Sequence, residues 1–212
     1  MTTNYPTGGF CDPQFKKIEE IFNQAIESGH EVGASLAIEH KGKLVVSLFG
    51  GHKDQERTSS WEKDTWVNVF SVTKAVTATC IARLIEEGKL DVSKPVSFYW
   101  PEYGCNGKEN TKVSDFLCHR AGAFGFQDGV PNIKWTNWHG FIKALEVQKP
   151  FREPGSSQGY HALTYGWLVG ELIRRVDGRT AGQYFKEEIA SPFGIDFKIG
   201  LDEEDFDNCA DT

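Results

Sequence analysis

The chain has 212 residues, of which 39% are hydrophobic and 25% charged, a balance that supports a folded core and excludes a disordered or fibrous chain. Lys and Arg number 23 against 30 Asp and Glu, for a net charge of −7. Without a basic patch, that charge argues against phosphate-driven binding of nucleic acid. No apolar run approaches the roughly 20 residues of a membrane-spanning helix, and Met1 to Phe10 lacks the charged-then-apolar order of a signal peptide. The chain therefore reads as soluble and cytoplasmic, with no membrane partner. Cys11, Cys80, Cys105, Cys118 and Cys209 are odd in number and widely spaced, without a CxxC pair, so neither a disulfide framework nor a zinc site is indicated. The six histidines include no HExxH, and no metal or cofactor is expected.

The first element is a helix within Cys11 to Gly29. Phe15, Ile18, Ile21, Phe22, Ala25 and Ile26 recur at a spacing of three and four, Asp12-Pro13 is a start signal and Gly29 a stop. The period then changes to two: Val32, Ala34, Leu36 and Ile38 alternate, Lys41-Gly42 supplies a turn, and Leu44 to Phe49 completes a β-hairpin. A strand-like Trp66 to Phe70 leads into a helix from about Ser71 to Glu87, stopped by Gly88, with Ala75, Ala78 or Thr79, Ala82 and Ile85 as its inward stripe, widened by Val76, Ile81 and Leu84. Short helices are predicted near Val113 to Cys118 and Trp138 to Val147, a longer one over Tyr160 to Val176, and another over Thr180 to Ile189 capped by Thr180. Phe197 to Leu201 reads as a last strand. Residues 1–10 and 202–212 are expected to be flexible. The whole reads as one α+β domain over 1–212, with too few strands for a complete sheet.

A serine hydroxyl becomes a nucleophile when a neighbouring group takes its proton. A serine that opens a helix, with lysine three residues on, meets that need. Both side chains then share one face, and the helix N-terminus offers free N–H groups to an oxyanion. Such a short pattern also arises by chance. Ser60-Trp61-Glu62-Lys63 lies in a polar loop and reads as a chance match. Ser71-Val72-Thr73-Lys74 opens the long apolar helix, and spacing alone leaves the catalytic reading level with that of a capping serine beside a solvated lysine. Gly155-Ser156-Ser157-Gln158-Gly159 matches the GxSxG elbow, but Gln148 to Pro154 before it carries two prolines and three charges, which do not make the buried strand an elbow needs. Ser157 reads as a turn serine. Glu86-Glu87 and Glu187-Glu188 read as solvated helix faces.

Asp64 to Lys74, Leu90-Asp91 to Pro95-Val96, His119-Arg120-Ala121-Gly122, and Pro154-Gly155 to Tyr160-His161-Ala162 together resemble successive blocks of the serine β-lactamase and penicillin-binding-protein superfamily. The likeness is to its esterase-like branch, the family VIII carboxylesterases and β-lactamase-related proteins, and it runs from about Gly9 to Leu201. The resemblance implies a β-lactamase/transpeptidase-like fold, a mainly antiparallel sheet with packed helices and a helical lobe. It implies a serine hydrolase for small esters or amides, with Ser71 acylated, Lys74 as base, and Tyr160 as a second acid/base. The alternative for Tyr160 is a packing aromatic at a helix start; its position after the Pro154-Gly155 turn favours the catalytic role. Lys74 must shed its proton to act as a base. Two departures from the pattern matter. The Tyr-x-Asn motif ends here in Ala162, which favours an esterase over a β-lactamase. No Lys or His followed by Thr or Ser and Gly is found, and since family members are longer, the carboxyl-terminal strands are expected to be missing. A shortened, inactive form with a binding or assembly role, including homo-oligomerisation, is the alternative to an enzyme.

Overall fold

The computed structural model describes residues 5–211, which separate into two compact units, one of Met1–Val69 with Leu201–Thr212 and one of Phe70–Gly200. Where the sequence reads as one domain, the sheet belongs to the first unit and the helical core to the second. No helix among the described residues is long and apolar enough to cross a membrane.

In the first unit, β1 (Thr7–Cys11), β2 (Gly33–His40) and β3 (Lys43–Gly51) form an antiparallel sheet in the order β1-β3-β2. The hairpin turn is Lys41-Gly42, both at positive φ (52° and 74°), as a tight turn matched to the strand twist requires. Helix α1 (Lys16–Glu27) packs Phe22 and Ile26 on Val45, Val46 and Leu48. Ile21, expected on the same face, is exposed.

Regular structure occurs near both ends of the described residues. Of the stretches expected to be flexible, Met1–Asn4 and Thr212 lie outside the described residues, whereas Thr7–Cys11 pairs along β3 from Thr7↔Gly50 to Cys11↔Val46. Glu203–Asn208 forms a 3-10 helix. Backbone bonds tie its end to Trp66, with Trp66 N–H donating to Asn208 (2.9 Å) and Ala210 N–H donating to Trp66 (2.7 Å). That pairing is a single bridge, and the strand expected over Trp66 to Phe70 does not form.

The second unit is helical. Helix α2 (Val72–Glu86) is followed by 3-10 turns at Val96–Phe98 and Pro101–Tyr103, then α3 (Val113–Leu117), α4 (Trp138–Val147), α5 (Thr164–Asp177), α6 (Ala181–Phe185), a π-helical turn at Lys186–Ala190, and α7 (Ser191–Phe193). Thr180 caps α6 through a capping box with Gln183. The centre is α5, buried from Trp167 through Ile173. Around it lie Ile81, Leu84, Trp100, Tyr103, Phe116, Phe141, Leu145 and Tyr184.

Three expectations change here. The buried face of α2 is Thr77, Cys80, Ile81 and Leu84, while Ala75, Ala82 and Ile85 are exposed; alanines remove little apolar area, so the bulkier face wins the core. Phe197 to Leu201 is not a strand. Its alternation is met by Phe197 and Ile199 packing on the helical core, with the Phe197 ring 5.7 Å from Phe185. The helix predicted from Tyr160 begins only at Thr164.

Candidate active site

Every component of the site lies in the helical unit. Phe70, immediately before the candidate nucleophile, has φ +45°, a left-handed conformation that costs a bulky residue energy and is found chiefly where function holds it. The chain then enters α2 through Ser71, with the first turn closed by Lys74 N–H donating to the Ser71 carbonyl (3.1 Å). At this helix mouth the first N–H groups have no intrahelical acceptor.

Ser71 holds the N-cap position, yet its side chain makes no capping bond. Its Oγ instead accepts from Lys74 Nζ at 3.0 Å and from the Tyr160 hydroxyl at 2.7 Å. A capping serine would turn its oxygen back to the helix N–H groups, and that of Ser71 does not. The three residues expected to act together, Ser71, Lys74 and Tyr160, are brought to one point across 89 positions of sequence.

Lys74 is fixed from several sides. Its Nζ also donates to the Ala162 carbonyl (2.9 Å) and lies 5.0 Å from the Tyr160 ring centre and 5.8 Å from that of Tyr165, within reach of cation–π attraction. Tyr165 donates its hydroxyl to the Lys74 carbonyl at 3.3 Å. The Tyr160 phenol is held below its ordinary range, first by the hydrogen bond with Ser71 and then by that with Lys74 and its charge. Once Tyr160 is ionised, the Ser71 hydroxyl and Lys74 Nζ can both donate to its oxygen, which favours the phenolate.

Residues 18–212, which include Ser71, Lys74 and Tyr160, match the Beta-lactamase family model. The chain belongs to the Beta-lactamase family. It is 36% identical over 188 residues to the esterase/beta-lactamase LipL of Mycobacterium tuberculosis (strain ATCC 25618 / H37Rv), covering 89% of this chain and 43% of that protein. A penicillin-binding protein homolog from Caulobacter crescentus is 40% identical with a TM-score of 0.91, over 97% of this chain and 56% of its own. A family VIII carboxylesterase is 38% identical with a TM-score of 0.88, over 97% and 57%. The chain thus spans about half the length of these relatives.

The GxSxG match forms no nucleophile elbow. Ser157 lies in a bend with no strand before it, its Oγ accepting from Arg152 at 3.3 Å. Two contributors escaped the sequence reading. Ala162, dismissed for its side chain, serves through its carbonyl, and no sequence signal marks a backbone acceptor. Tyr165 stands five residues after Tyr160, and its place at the start of α5 was the available sign.

Proposed function

We propose that the protein is an esterase-like serine hydrolase that cleaves small esters or amides through an acyl-enzyme on Ser71. The observation that carries this reading is the convergence of Lys74 Nζ and the Tyr160 hydroxyl on Ser71 Oγ at a helix N-terminus.

Ser71 Oγ attacks the substrate carbonyl while its proton passes to the Lys74–Tyr160 pair. An ammonium beside a phenolate and an amine beside a phenol hold the same number of protons, and either arrangement can accept one more. The tetrahedral oxyanion is met by the Ser71 N–H and the positive end of the α2 dipole. Collapse breaks the bond to the leaving group. Tyr160 returns the proton to the departing alcohol or amine. Water then gives a proton to the same pair and attacks the acyl carbon; as the acyl–Oγ bond breaks, the pair returns that proton to Ser71 Oγ, and the acid and free Ser71 are released.

The esterase preference rests on Ala162, whose methyl offers a substrate amide no partner, and on the likeness to LipL and the family VIII carboxylesterase. The second reading is that this chain binds or assembles without turnover. Intact-mass measurement after exposure to a serine-reactive fluorophosphonate separates the two. The hydrolase reading expects one adduct on the purified chain and none on Ser71→Ala. No adduct on the folded wild type sinks it.

A further inference from the structure

Tyr160 is 55% exposed and precedes its helix by four residues, so little around its side chain explains how its hydroxyl stays on Ser71. The backbone on either side of it does. Gly159 N–H donates to the His119 carbonyl at 2.9 Å, and His161 N–H donates to the His119 imidazole Nδ1 at 3.2 Å. One residue therefore grips both chain neighbours of Tyr160. The His119 ring also lies against the rings of Tyr160 (4.8 Å), Tyr165 (5.2 Å) and His161 (5.4 Å, 30° between planes).

His119 reaches this position by adopting φ +59°, unusual for a non-glycine residue. Its neighbours extend the seam: Gly155 N–H donates to the Arg120 carbonyl (2.8 Å), Phe151 N–H to that of Gly122 (2.8 Å), and Gln158 Nε2 to that of Cys118 (3.2 Å). Residues 118–122 thus form a template along which the Tyr160 loop is laid.

We propose that His119 is a positioning residue for Tyr160, acting through an imidazole Nδ1 that must accept the His161 N–H and through its own left-handed carbonyl. This rests on the acyl-enzyme reading for its catalytic consequence, though not for the geometry. An accepting Nδ1 requires the neutral ring with its proton on Nε2. Burial, and then the Lys74 charge, hold His119 below the ordinary histidine range. The groups around the ring are Lys74 from α2, Tyr160 and His161 from the loop, Tyr165 from α5, and Cys118 on its own segment. A second proton on the ring would meet the Lys74 charge and displace the His161 N–H.

Three substitutions separate this role from general packing. In His119→Asn the side-chain Oδ1 stands where Nδ1 stood, and asparagine tolerates a left-handed backbone. His119→Gly keeps the backbone and removes the acceptor. His119→Gln places its amide near the site of Nε2 instead. Two quantities are read on each folded variant: the Tyr160 phenol titration by carbon-13 NMR of labelled tyrosine, and the rate of fluorophosphonate attachment to Ser71. Asn is expected to keep the depressed Tyr160 titration and a labelling rate within about threefold of wild type. Gly and Gln are expected to raise the titration toward the ordinary tyrosine value and slow labelling about 10²-fold, the usual penalty for a catalytic group misplaced by an ångström. The proposal is overturned if Gly matches wild type in both readouts, or if Asn does no better than Gly. Should the wild type take no label, the acyl-enzyme reading fails while the Tyr160 titration still decides the role of His119.

Discussion

At Ser71 Oγ, an ammonium and a phenol compete to supply the same hydrogen-bond acceptor, and the outcome is a phenol easier to ionise than free tyrosine. An acid whose pKa is lowered loses its proton at lower pH, so the base form of Tyr160 gains population as pH rises, with a midpoint below 10.0. The labelling rate of Ser71 is therefore expected to climb with pH through a midpoint below that value. Tyr160→Phe should remove the limb and slow labelling by about 10²-fold or more, the usual contribution of a positioned acid/base. A midpoint at or above 10.0, or a limb that survives in Tyr160→Phe, would assign the titration elsewhere. The residues of this site differ in how far sequence reveals them. Ser71 and Lys74 are legible because i and i+3 share a helix face. Tyr160 could be placed only by its resemblance to a known block, and His119 carries no local signal of its role, since its partners lie about 40 positions away.

Among the elements, those with a strong period and a stop signal were legible nearly to the residue. Helix α4 spans Trp138–Val147, the bounds read from sequence, and Thr180 caps α6. What periodicity could not give was the choice between two apolar faces of α2, or the fate of Phe197 to Leu201, because both depend on what packs against them. The end of α4 shows how a helix terminus borrows from a distant loop. Its last carbonyls receive Lys108 Nζ at Glu146 (3.0 Å) and at Gln148, and Asn106 Nδ2 at Val147 (2.8 Å). Lys108 is fully buried, and burial lowers its pKa. Its charge is met by the negative end of the α4 dipole and by the Tyr103 ring 5.2 Å away. Lys108→Met keeps the aliphatic stem but takes the Nζ donor from the Glu146 and Gln148 carbonyls, leaving Glu146 the weaker Cys105 Sγ donor at 3.2 Å. That should destabilise the helical unit by about 2 kcal/mol, the cost of buried groups left unpaired, as read by urea unfolding. A neutral or stabilising result would mean that desolvating the ammonium costs as much as its bonds return.

Across the whole molecule, each compact unit carries its own buried cluster, one from Phe22 to Leu48 and one from Cys80 to Ala190. The sequence foretold the α+β content, and no linker or change of composition marks the passage between the units at Val69–Phe70. Stability can accordingly differ between the units, and acid should expose the difference through His161. This residue is buried between the His119 ring and the edge of Phe124, with neither ring nitrogen in a well-formed hydrogen bond. Burial pushes it from 6.5 down to about 4, against a smaller opposing pull from the Gly159 backbone. Between those values the unfolded chain binds a proton that the folded unit does not. Stability is then complete above pH 6.5 and is lost as pH falls toward about 4. A depression of that size corresponds to at most about 3 kcal/mol. Trp100, Trp135, Trp138 and Trp167 lie in the helical unit and Trp61 and Trp66 in the other, so fluorescence during urea unfolding at a series of pH values follows the helical unit once Trp61 and Trp66 are replaced by Phe in every variant compared. The midpoint should fall through this window in the wild type and become much flatter in His161→Leu, whatever the substitution does to the baseline. An unchanged slope in His161→Leu would place the acid sensitivity on other groups, with His119, also depressed by burial, the first to examine by the same substitution.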